Sequence, residues 1–226
     1  MPTTELPAAP SIATEDYMKA IYSLTRRDPD GASTTDLAER LGVARGSVST
    51  MLRRLDESGL VTHVPYKGVR LTGAGEQLAL RVIRRHRLIE LFLVTSLEIP
   101  WDEVHRYAED LEHAASDELV EVIARKLGDP PADPHGDPIP TSGLEIDEGV
   151  TEALAELEPG ERATFVRVSD ADPEMLRHLS EEGIAIGDRL EMVGRAPFDG
   201  PWSVVIDGRE HDLGPTLARS MRVARR

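Results

Sequence analysis

The sequence predicts a mainly α-helical protein that ends in a β module. Three observations lead to this fold class. Apolar residues recur at helical spacing through most of the chain up to Leu127. Short runs of alternating apolar and polar residues follow only after Gly149. Between residues 33 and 71, two short helical patterns precede two β-rich runs, an order typical of a winged helix-turn-helix.

The N-terminal part carries the winged helix-turn-helix. A helix is expected over 14–26, and a second one begins after an N-cap at Thr34 or Thr35 and stops at Gly42. The segment "RGSVSTMLRRLDESG" forms the third helix. The run "LVTHVPYKGVRLT" forms a hairpin, the wing, in which Gly68 takes a positive φ.

The middle and C-terminal parts differ in pattern. A long helix is expected from Thr72 to about Leu97, a second in "WDEVHRYAEDLEHAASDEL", and a third from Asp117 to Leu127. The Pro- and Gly-rich segment from Gly128 to Gly149 is expected to be a partly ordered linker, and the alternating runs after it a small β-barrel-like module. The expected domains are 1–73, 74–149 and 150–226.

Charge and composition restrict the function. The formal net charge is −15, but residues 1–75 hold nine Lys/Arg and nine Asp/Glu, so any DNA contact belongs there. The chain has no cysteine, which excludes disulfides and thiolate metal ligands. We see no signal peptide, and no apolar stretch approaches the ~20 residues of a membrane span. We therefore expect a cytoplasmic protein with no membrane partner.

The third helix has the features of a DNA recognition helix. Its first half places small and polar side chains opposite Val48 and Leu52, where they suit base edges and phosphates. Lys67 and Arg70 on the wing suit further phosphate contacts. A helix-turn-helix that contacts only protein is the alternative. The candidate DNA-binding residues are Thr34, Ala44, Arg45, Gly46, Ser47, Ser49, Thr50, Arg53, Arg54 and Lys67.

Histidines and glutamates line one side of the helix that follows Pro100. Four of them stand at positions i, i+4, i+7 and i+8, within about 100° of arc around the helix: His105, Glu109, Glu112 and His113. The preceding helix adds His86 and Glu90 at i, i+4. A solvated, salt-bridged face is the alternative, but facing His/Glu pairs on two helices commonly hold metal ions. Nitrogen and oxygen donors without sulfur suit Mn²⁺ or Fe²⁺, and Zn²⁺ less distinctively.

Together with "ATEDYMKAIYSL", "RRHRLIE", "VHRYAEDLEHAASDEL" and "DPHGDPIP", these features resemble the diphtheria toxin repressor family of metal-dependent transcriptional regulators. The resemblance covers essentially the whole chain. It implies a helical domain for dimerisation and metal binding and an SH3-like C-terminal module. The implied function is a repressor of metal homeostasis genes that binds operator DNA as a homodimer. The resemblance implies neither an enzymatic activity nor an organic cofactor.

The resemblance also implies two adjacent metal positions. The first resembles a site made by Asp16, Glu109, Glu112 and His113. The second resembles a site made by His86, Glu90 and His105, with Asp172 of the SH3-like module as a further donor. Asp172 has a second interpretation, as the N-cap of the helix that begins at Pro173. Four histidines are interpreted as ordinary polar residues: His63, His135, His178 and His211.

The residue types at these positions favour manganese. The iron-responsive branch of the family has cysteine where this chain has Glu109 and methionine where it has Asp16, whereas the manganese-responsive branch has glutamate and aspartate. Two departures concern the second site: Lys19 stands where the manganese branch has a glutamate, and Met175 where the iron branch has a glutamine ligand. We expect Mn²⁺, with Fe²⁺ as the alternative and Co²⁺ or Zn²⁺ as substitutes in vitro.

Two other functions compete with this interpretation. A metallohydrolase is disfavoured, because "EDLEH" has Glu109 where the H-x-x-E-H zinc motif requires a histidine. A winged-helix regulator that needs no metal predicts DNA binding that does not respond to a chelator.

Overall fold

The computed structural model describes residues 10–27 and 31–225. The chain forms two compact units. The first ends at Arg84 and includes Ser142–Glu145, and the second comprises Arg85–Thr141 and the chain from Ile146 onward. Within the described residues, none of the helices combines the length and apolar character that a membrane crossing requires.

The first unit contains the winged helix-turn-helix. Its elements are α1 (Ile12–Arg27), α2 (Thr34–Leu41), α3 (Arg45–Glu57), β1 (Val61–Val64), β2 (Gly68–Leu71) and the start of α4 (Gly73–Leu97). Fully or nearly fully buried apolar side chains form its core, among them Met18, Ile21, Leu37, Val48, Leu52, Val61 and Val69. The order of helices and strands agrees with the sequence prediction.

One of the two predicted ends of α2 agrees with the structure, and the other is shifted by one or two residues. Ser33, and neither predicted threonine, is the N-cap, because its side chain accepts a hydrogen bond from the backbone N–H of Asp36 at 3.1 Å. Ser and Thr can both cap a helix through their side-chain oxygens, so residue type alone did not fix which of three adjacent hydroxyl residues is the cap. Gly42 ends the helix in the left-handed conformation at φ 65°, as predicted.

The wing depends on one glycine. β1 and β2 pair antiparallel, with Val61 opposite Leu71 and Val64 opposite Gly68. Gly68 has φ 114°, and a Cβ atom there would lie 2.0 Å from the carbonyl oxygen of Ala32. The predicted positive φ is therefore confirmed, and the close approach leaves no room for a larger residue.

The second unit joins helices to a six-stranded antiparallel sheet. After α4 come α5 (Val104–Glu112), α6 (Asp117–Leu127), β3 (Glu152–Ala153), a 3-10 turn (Leu154–Glu156), β4 (Arg162–Arg167), α7 (Pro173–Glu182), β5 (Arg189–Arg195), β6 (Trp202–Ile206), β7 (Arg209–Leu213), α8 (Pro215–Ser220) and β8 (Arg222–Arg225). The strand order is β3-β8-β4-β5-β6-β7. A mainly helical protein with an SH3-like β module is thus confirmed.

Apolar contacts position the helices of the second unit. Leu88 of α4 packs with Val120 and Ala124 of α6. One residue further along α4, Ile89 packs with Val104 of α5. Consecutive residues of α4 thus contact different helices. The neighbouring polar residues of α4, His86 and Glu90, are buried.

Residues 131–140 of the predicted linker are ordered and packed within the second unit, which agrees with the expectation of a partly ordered segment. The Asp133 carboxylate accepts hydrogen bonds from the backbone N–H groups of His135 at 2.8 Å and Asp137 at 3.0 Å. Gly136 has φ 84°, and a Cβ atom there would lie 1.9 Å from the carbonyl oxygen of Val166. Pro and Gly here shape a tight turn against β4 and do not make a spacer.

Candidate metal centre

α5 directs its polar side chains to one side because its apolar side chains are buried on the other. Val104 and Ala108 are fully buried. The helix ends at Glu112, earlier than predicted, so His113 is its C-cap residue and does not continue the helical face. Glu112 is nevertheless fully buried, which is unusual for a carboxylate and calls for charged or hydrogen-bonding partners.

His86 of α4 connects two groups of donor atoms. Its Nδ1 lies 2.5 Å from Glu112 Oε2 and 3.6 Å from Glu109 Oε1. Its Nε2 lies 3.0 Å from Glu90 Oε1 and 3.2 Å from His105 Nδ1. One buried imidazole therefore faces the acidic residues of α5 with one nitrogen and the pair Glu90 and His105 with the other.

The first group of donors lies around the end of α5. Beside Glu109 and Glu112, it includes His113, whose Nε2 lies 3.3 Å from Glu112 Oε1. Asp16, the fourth residue predicted for this position, is a half-buried residue of α1 in the first unit. Its part in the site stays a prediction.

The second group lies on the other side of His86. His105 Nδ1 lies 3.2 Å from Glu90 Oε1 and 2.9 Å from Asp170 Oδ2. One donor atom from each of the four residues His86, Glu90, His105 and Asp170 falls within 4.8 Å of the others. Asp170 belongs to the loop between β4 and α7, so the SH3-like module contributes a carboxylate to the cluster.

A third group adjoins the second through Glu90. Donor atoms of Glu90, Asp133 and His135, all buried, lie within 4.8 Å of one another. Glu90 Oε2 and His135 Nδ1 are 3.8 Å apart, and neither has a hydrogen-bond partner among residues 10–27 and 31–225. Buried polar atoms are rarely left unsatisfied, so this gap between an oxygen and a nitrogen suits a cation.

The electrostatics of the cluster favour positive charge. Hydrogen bonds to Asp170 and Glu90 raise the pKa of His105 to about 10, against the opposing effect of burial. Burial would lower the pKa of His135, but Glu90 raises it to about 9. Burial and the neighbouring carboxylate of Asp137 raise the pKa of Asp133 to about 7.

The pKa values of two carboxylates in the cluster, Asp170 and Glu90, are lowered. Burial opposes ionisation of Asp170, yet its hydrogen bond with His105 holds its pKa at about 2. Burial likewise opposes ionisation of Glu90, and the charge of His86 together with the hydrogen bond from His105 holds its pKa well below the ordinary value. Protons on the imidazoles thus balance ionised carboxylates, and a divalent cation would displace such protons on binding.

The structure separates the two aspartates near the start of α7. Asp172, the predicted donor, is exposed and caps α7: its carboxylate accepts from the backbone N–H groups of Glu174 at 3.1 Å and Met175 at 3.2 Å. Asp170 is the aspartate that reaches His105. The carboxylate of Asp172 is thus bonded to the N-terminus of α7, as its alternative interpretation as an N-cap predicted.

Sequence reasoning therefore missed Asp133, His135 and Asp170. His135 was interpreted as an ordinary polar residue, because no partner stands at helical spacing from it. A usable signal was present in "DPHGD", where two acids flank a histidine inside a tight turn. In "SDADP" only Asp172 directly precedes a proline, which marks it as a helix cap, but nothing local shows that Asp170 reaches His105.

The proposed DNA-binding residues lie mainly on one element. Val48, Leu52 and Leu55 of α3 are buried, and the polar side chains of that helix are exposed. Exposed members of the predicted set are Ala44, Arg45, Gly46, Ser47, Ser49, Thr50, Arg53, Arg54 and, on the wing, Lys67. Thr34, the remaining member, is the half-buried first residue of α2.

Comparison with known proteins matches each part of the chain to a family model. Residues 11–69 match "Iron dependent repressor, N-terminal DNA binding domain", residues 72–141 match "Iron dependent repressor, metal binding and dimerisation domain", and residues 153–225 match "FeoA domain". The iron-dependent repressor IdeR of Mycobacterium tuberculosis is 30% identical over 93% of this chain and 96% of its own length. The chain belongs to the diphtheria toxin repressor family.

Other members of the family support the same assignment. The diphtheria toxin repressor of Corynebacterium diphtheriae is 29% identical over 93% of this chain and 96% of its own length. A solved manganese-dependent transcriptional repressor in complex with manganese has a TM-score of 0.89 and 43% identity, covering 94% of this chain and 100% of that one. The manganese regulator SloR has a TM-score of 0.78 and 32% identity, covering 94% and 98%.

Membership in the family establishes the general function. The protein is a metal-dependent, DNA-binding transcriptional repressor with a DNA-binding domain and a dimerisation domain. These domains indicate operator DNA and a second copy of the chain as partners. Members of the diphtheria toxin repressor family are regulators and not enzymes.

Proposed function

We propose that Mn²⁺ is the corepressor of this protein. The observation that carries the proposal is the composition of the buried cluster: every donor in it is an imidazole nitrogen or a carboxylate oxygen. Mn²⁺ stands at the weak end of the Irving–Williams order, so hard oxygen donors and site geometry must provide its selection. The similarity to manganese-dependent repressors supports the same choice, and Fe²⁺ is the alternative because other relatives are named iron-dependent repressors.

The grouping of donors around His86 supports two metal positions per subunit. We assign Glu109, Glu112 and His113, with Asp16, to the first position. For the second we assign His86, Glu90, His105 and Asp170, with Asp133 and His135 adjoining Glu90. Asp170 takes the place that the sequence suggested for Asp172, since its carboxylate lies 2.9 Å from His105 Nδ1. A bound cation supplies positive charge that holds these carboxylates together.

The metal would act on DNA binding through Asp16. This aspartate belongs to α1, whereas the other donors of the first position belong to α5 and its C-cap. A cation shared by both would bias the orientation of the winged helix. In a dimer, the two recognition helices must lie about one DNA turn apart, ~34 Å. Metal and operator DNA then increase each other's affinity by the same factor.

Exposed polar residues at the start of α3 are proposed to contact the operator. Ala44 precedes the helix without a side-chain cap, so the first backbone N–H groups are available for a phosphate. Ser49 and Thr50 are exposed, although their hydroxyls also bond to the carbonyl oxygens of Arg45 and Gly46. Binding would take place in the cytoplasm, where the chromosome lies.

The homodimer interface is proposed to involve α5 and α6. Large apolar side chains remain exposed on these two helices: Tyr107, Leu111, Leu119 and Val122. Exposed apolar patches mark association surfaces, and this one lies within the part that matches the metal binding and dimerisation domain.

A DNA capture experiment tests the proposed corepressor. Genomic fragments from the source organism would be captured by the purified protein with Mn²⁺, with Fe²⁺ under anaerobic conditions, or with a chelator, and then sequenced. The expected result is specific enrichment with Mn²⁺ at lower concentration than with Fe²⁺ and none with chelator. Equal enrichment with chelator would contradict metal dependence at the operator, and enrichment only with Fe²⁺ would contradict the choice of Mn²⁺.

A further inference from the structure

Trp101 lies at the point where the helices of the second unit meet the SH3-like module. It is partly buried and packs against the core of that module. Its indole Nε1 donates a hydrogen bond to Ser180 Oγ of α7 at 2.7 Å. The next residue, Asp102, forms an ion pair with Arg177 of the same helix at 3.1 Å. The loop between α4 and α5 is thus attached to α7 by two separate contacts.

Trp101 also contacts His135 in two ways. The carbonyl oxygen of Trp101 lies 2.8 Å from His135 Nε2. A carbonyl oxygen can only accept, so Nε2 carries a proton and donates it. In addition, the indole and imidazole rings stack with centroids 5.9 Å apart and an angle of 13° between their planes.

These contacts decide which nitrogen of His135 can bind a cation. With Nε2 committed to the carbonyl, Nδ1 is the nitrogen directed at Glu90 Oε2, 3.8 Å away. Within the part of the chain that the structure describes, neither of these two atoms has a hydrogen-bond partner. A histidine that binds a metal usually donates its other ring N–H to a carbonyl or carboxylate, which fixes its tautomer and orientation. The Trp101 carbonyl occupies that place here.

We propose that Trp101 is a positioning residue that fixes His135 as an Nδ1 donor and, through Ser180, links the metal centre to α7 of the SH3-like module. The inference rests on the proposed function, because it requires a cation beside Glu90 and His135. The backbone of His135 is held by the same module, since its carbonyl oxygen accepts from the N–H of Val168 at 3.0 Å. Both ends of the histidine are therefore anchored outside the metal-binding helices.

The experiment compares Mn²⁺ binding to the full-length protein and to four variants. Ser180→Ala removes the partner of the indole without touching the ring or His135. Trp101→Phe keeps an aromatic ring and the backbone carbonyl but cannot donate to Ser180. Asp102→Asn is the matched control, because it breaks the other contact between the same loop and α7. His135→Ala defines the Mn²⁺ position in question. Free Mn²⁺ is counted by its electron paramagnetic resonance signal, and the tautomer of His135 by nitrogen-15 NMR with diamagnetic Zn²⁺.

We expect Ser180→Ala and Trp101→Phe each to weaken the Mn²⁺ position that His135→Ala removes, by roughly 10-fold, as loss of an outer-shell partner does. At a fixed Zn²⁺ concentration, the fraction of His135 that carries Zn²⁺ on Nδ1 and a proton on Nε2 should fall together with the affinity in both variants. Asp102→Asn should leave both readouts unchanged. Unchanged affinity and tautomer in Ser180→Ala and Trp101→Phe would overturn the inference, and so would an equal loss in Asp102→Asn, which would indicate general docking. If His135→Ala binds Mn²⁺ like the wild type, the proposed metal position itself fails, whatever the other variants do.

Discussion

His105 Nδ1 lies 2.9 Å from Asp170 Oδ2, so a helix of the dimerisation region and a loop of the SH3-like module meet in one cluster of donor atoms. Two residues after Asp170, Asp172 has a similar carboxylate that caps α7. The two aspartates therefore form a natural pair for mutagenesis, one beside the proposed cation and one outside its reach.

Asp170→Asn should weaken Mn²⁺ binding at the second position by more than the ~10-fold that loss of an outer-shell partner costs. The physical reason is the loss of a negative donor that faces His105. Titration of the purified protein with Mn²⁺, followed by calorimetry, measures the change. Asp172→Ala is the control: it should keep the affinity for Mn²⁺ and lose about 1 kcal/mol of stability with its helix cap. The reverse pattern would return the donor role to Asp172.

Glu112→Ala should abolish metal-dependent DNA binding while the helices remain. Glu112 is fully buried and contacts both His86 and His113, so its removal leaves two imidazoles without their shared carboxylate. Gel shifts with operator DNA and increasing Mn²⁺ measure the effect, and circular dichroism measures the helix content. Asp110→Ala removes an exposed acid from the same helix and should behave like the wild type. A Glu112→Ala protein that responds to Mn²⁺ as strongly as the wild type would exclude this residue from the site.

Glu109→Cys should change the choice of metal more than the fold. A thiolate is a softer donor than a carboxylate and must lose a proton with a reference pKa of ~8.5, so Mn²⁺ should lose affinity relative to Co²⁺ or Zn²⁺. The ratio of half-saturating Mn²⁺ and Co²⁺ concentrations for DNA binding, under reducing conditions, measures the shift. Glu109→Asp keeps an oxygen donor and serves as the control. An unchanged ratio in the cysteine variant would remove Glu109 as the determinant of metal preference.

Lys67→Ala should weaken DNA binding to all sequences alike and lower the salt dependence of the binding constant by ~1 in logarithmic slope, as one lost phosphate contact does. Lys67 is an exposed residue of the turn between β1 and β2. Fluorescence anisotropy with labelled operator over a range of salt concentrations gives the slope. Lys126→Ala removes the same charge from the end of α6, and its slope should equal that of the wild type. Equal slopes for all three proteins would exclude the wing from the contact.

Leu119→Glu should dissociate the dimer. Leu119 is 51% exposed in the single chain, beside other exposed apolar side chains of α5 and α6. A charge in such an interface loses its hydration without a partner, which is strongly unfavourable. Sedimentation velocity with the metal-loaded protein measures the mass. Val193→Glu places the same charge on an exposed apolar residue of the SH3-like sheet and should leave the dimer intact. A dimeric Leu119→Glu protein would place the interface elsewhere.

Local patterns predicted the helices well, because burial of one face repeats along each of them. α3 and α6 follow the expected spacing, and α6 has the predicted limits Asp117 and Leu127. The positive φ of Gly42 and Gly68 was also predicted correctly, because a positive φ depends on a single residue and its near neighbours in sequence.

The remainder of the site depends on contacts between distant parts of the chain. Nothing within "DPHGDPIP" shows that His135 will lie beside Trp101 and Glu90, because its position is set by the turn at Gly136 and the backbone of β4. The start of α7 is a local signal that assigns Asp172 to the helix cap, whereas the contact of Asp170 with His105 joins distant parts of the chain. The short strands β3, β7 and β8 escaped prediction because each one is defined by its partners in the sheet.

The donor atoms around His86 also determine what the repressor cannot sense. They are nitrogens and carboxylate oxygens, and the chain has no thiol anywhere. Diamide and disulfide exchange act on thiols, so they find no target in this metal centre. The protein should therefore report the supply of its cation at any thiol redox state of the cell.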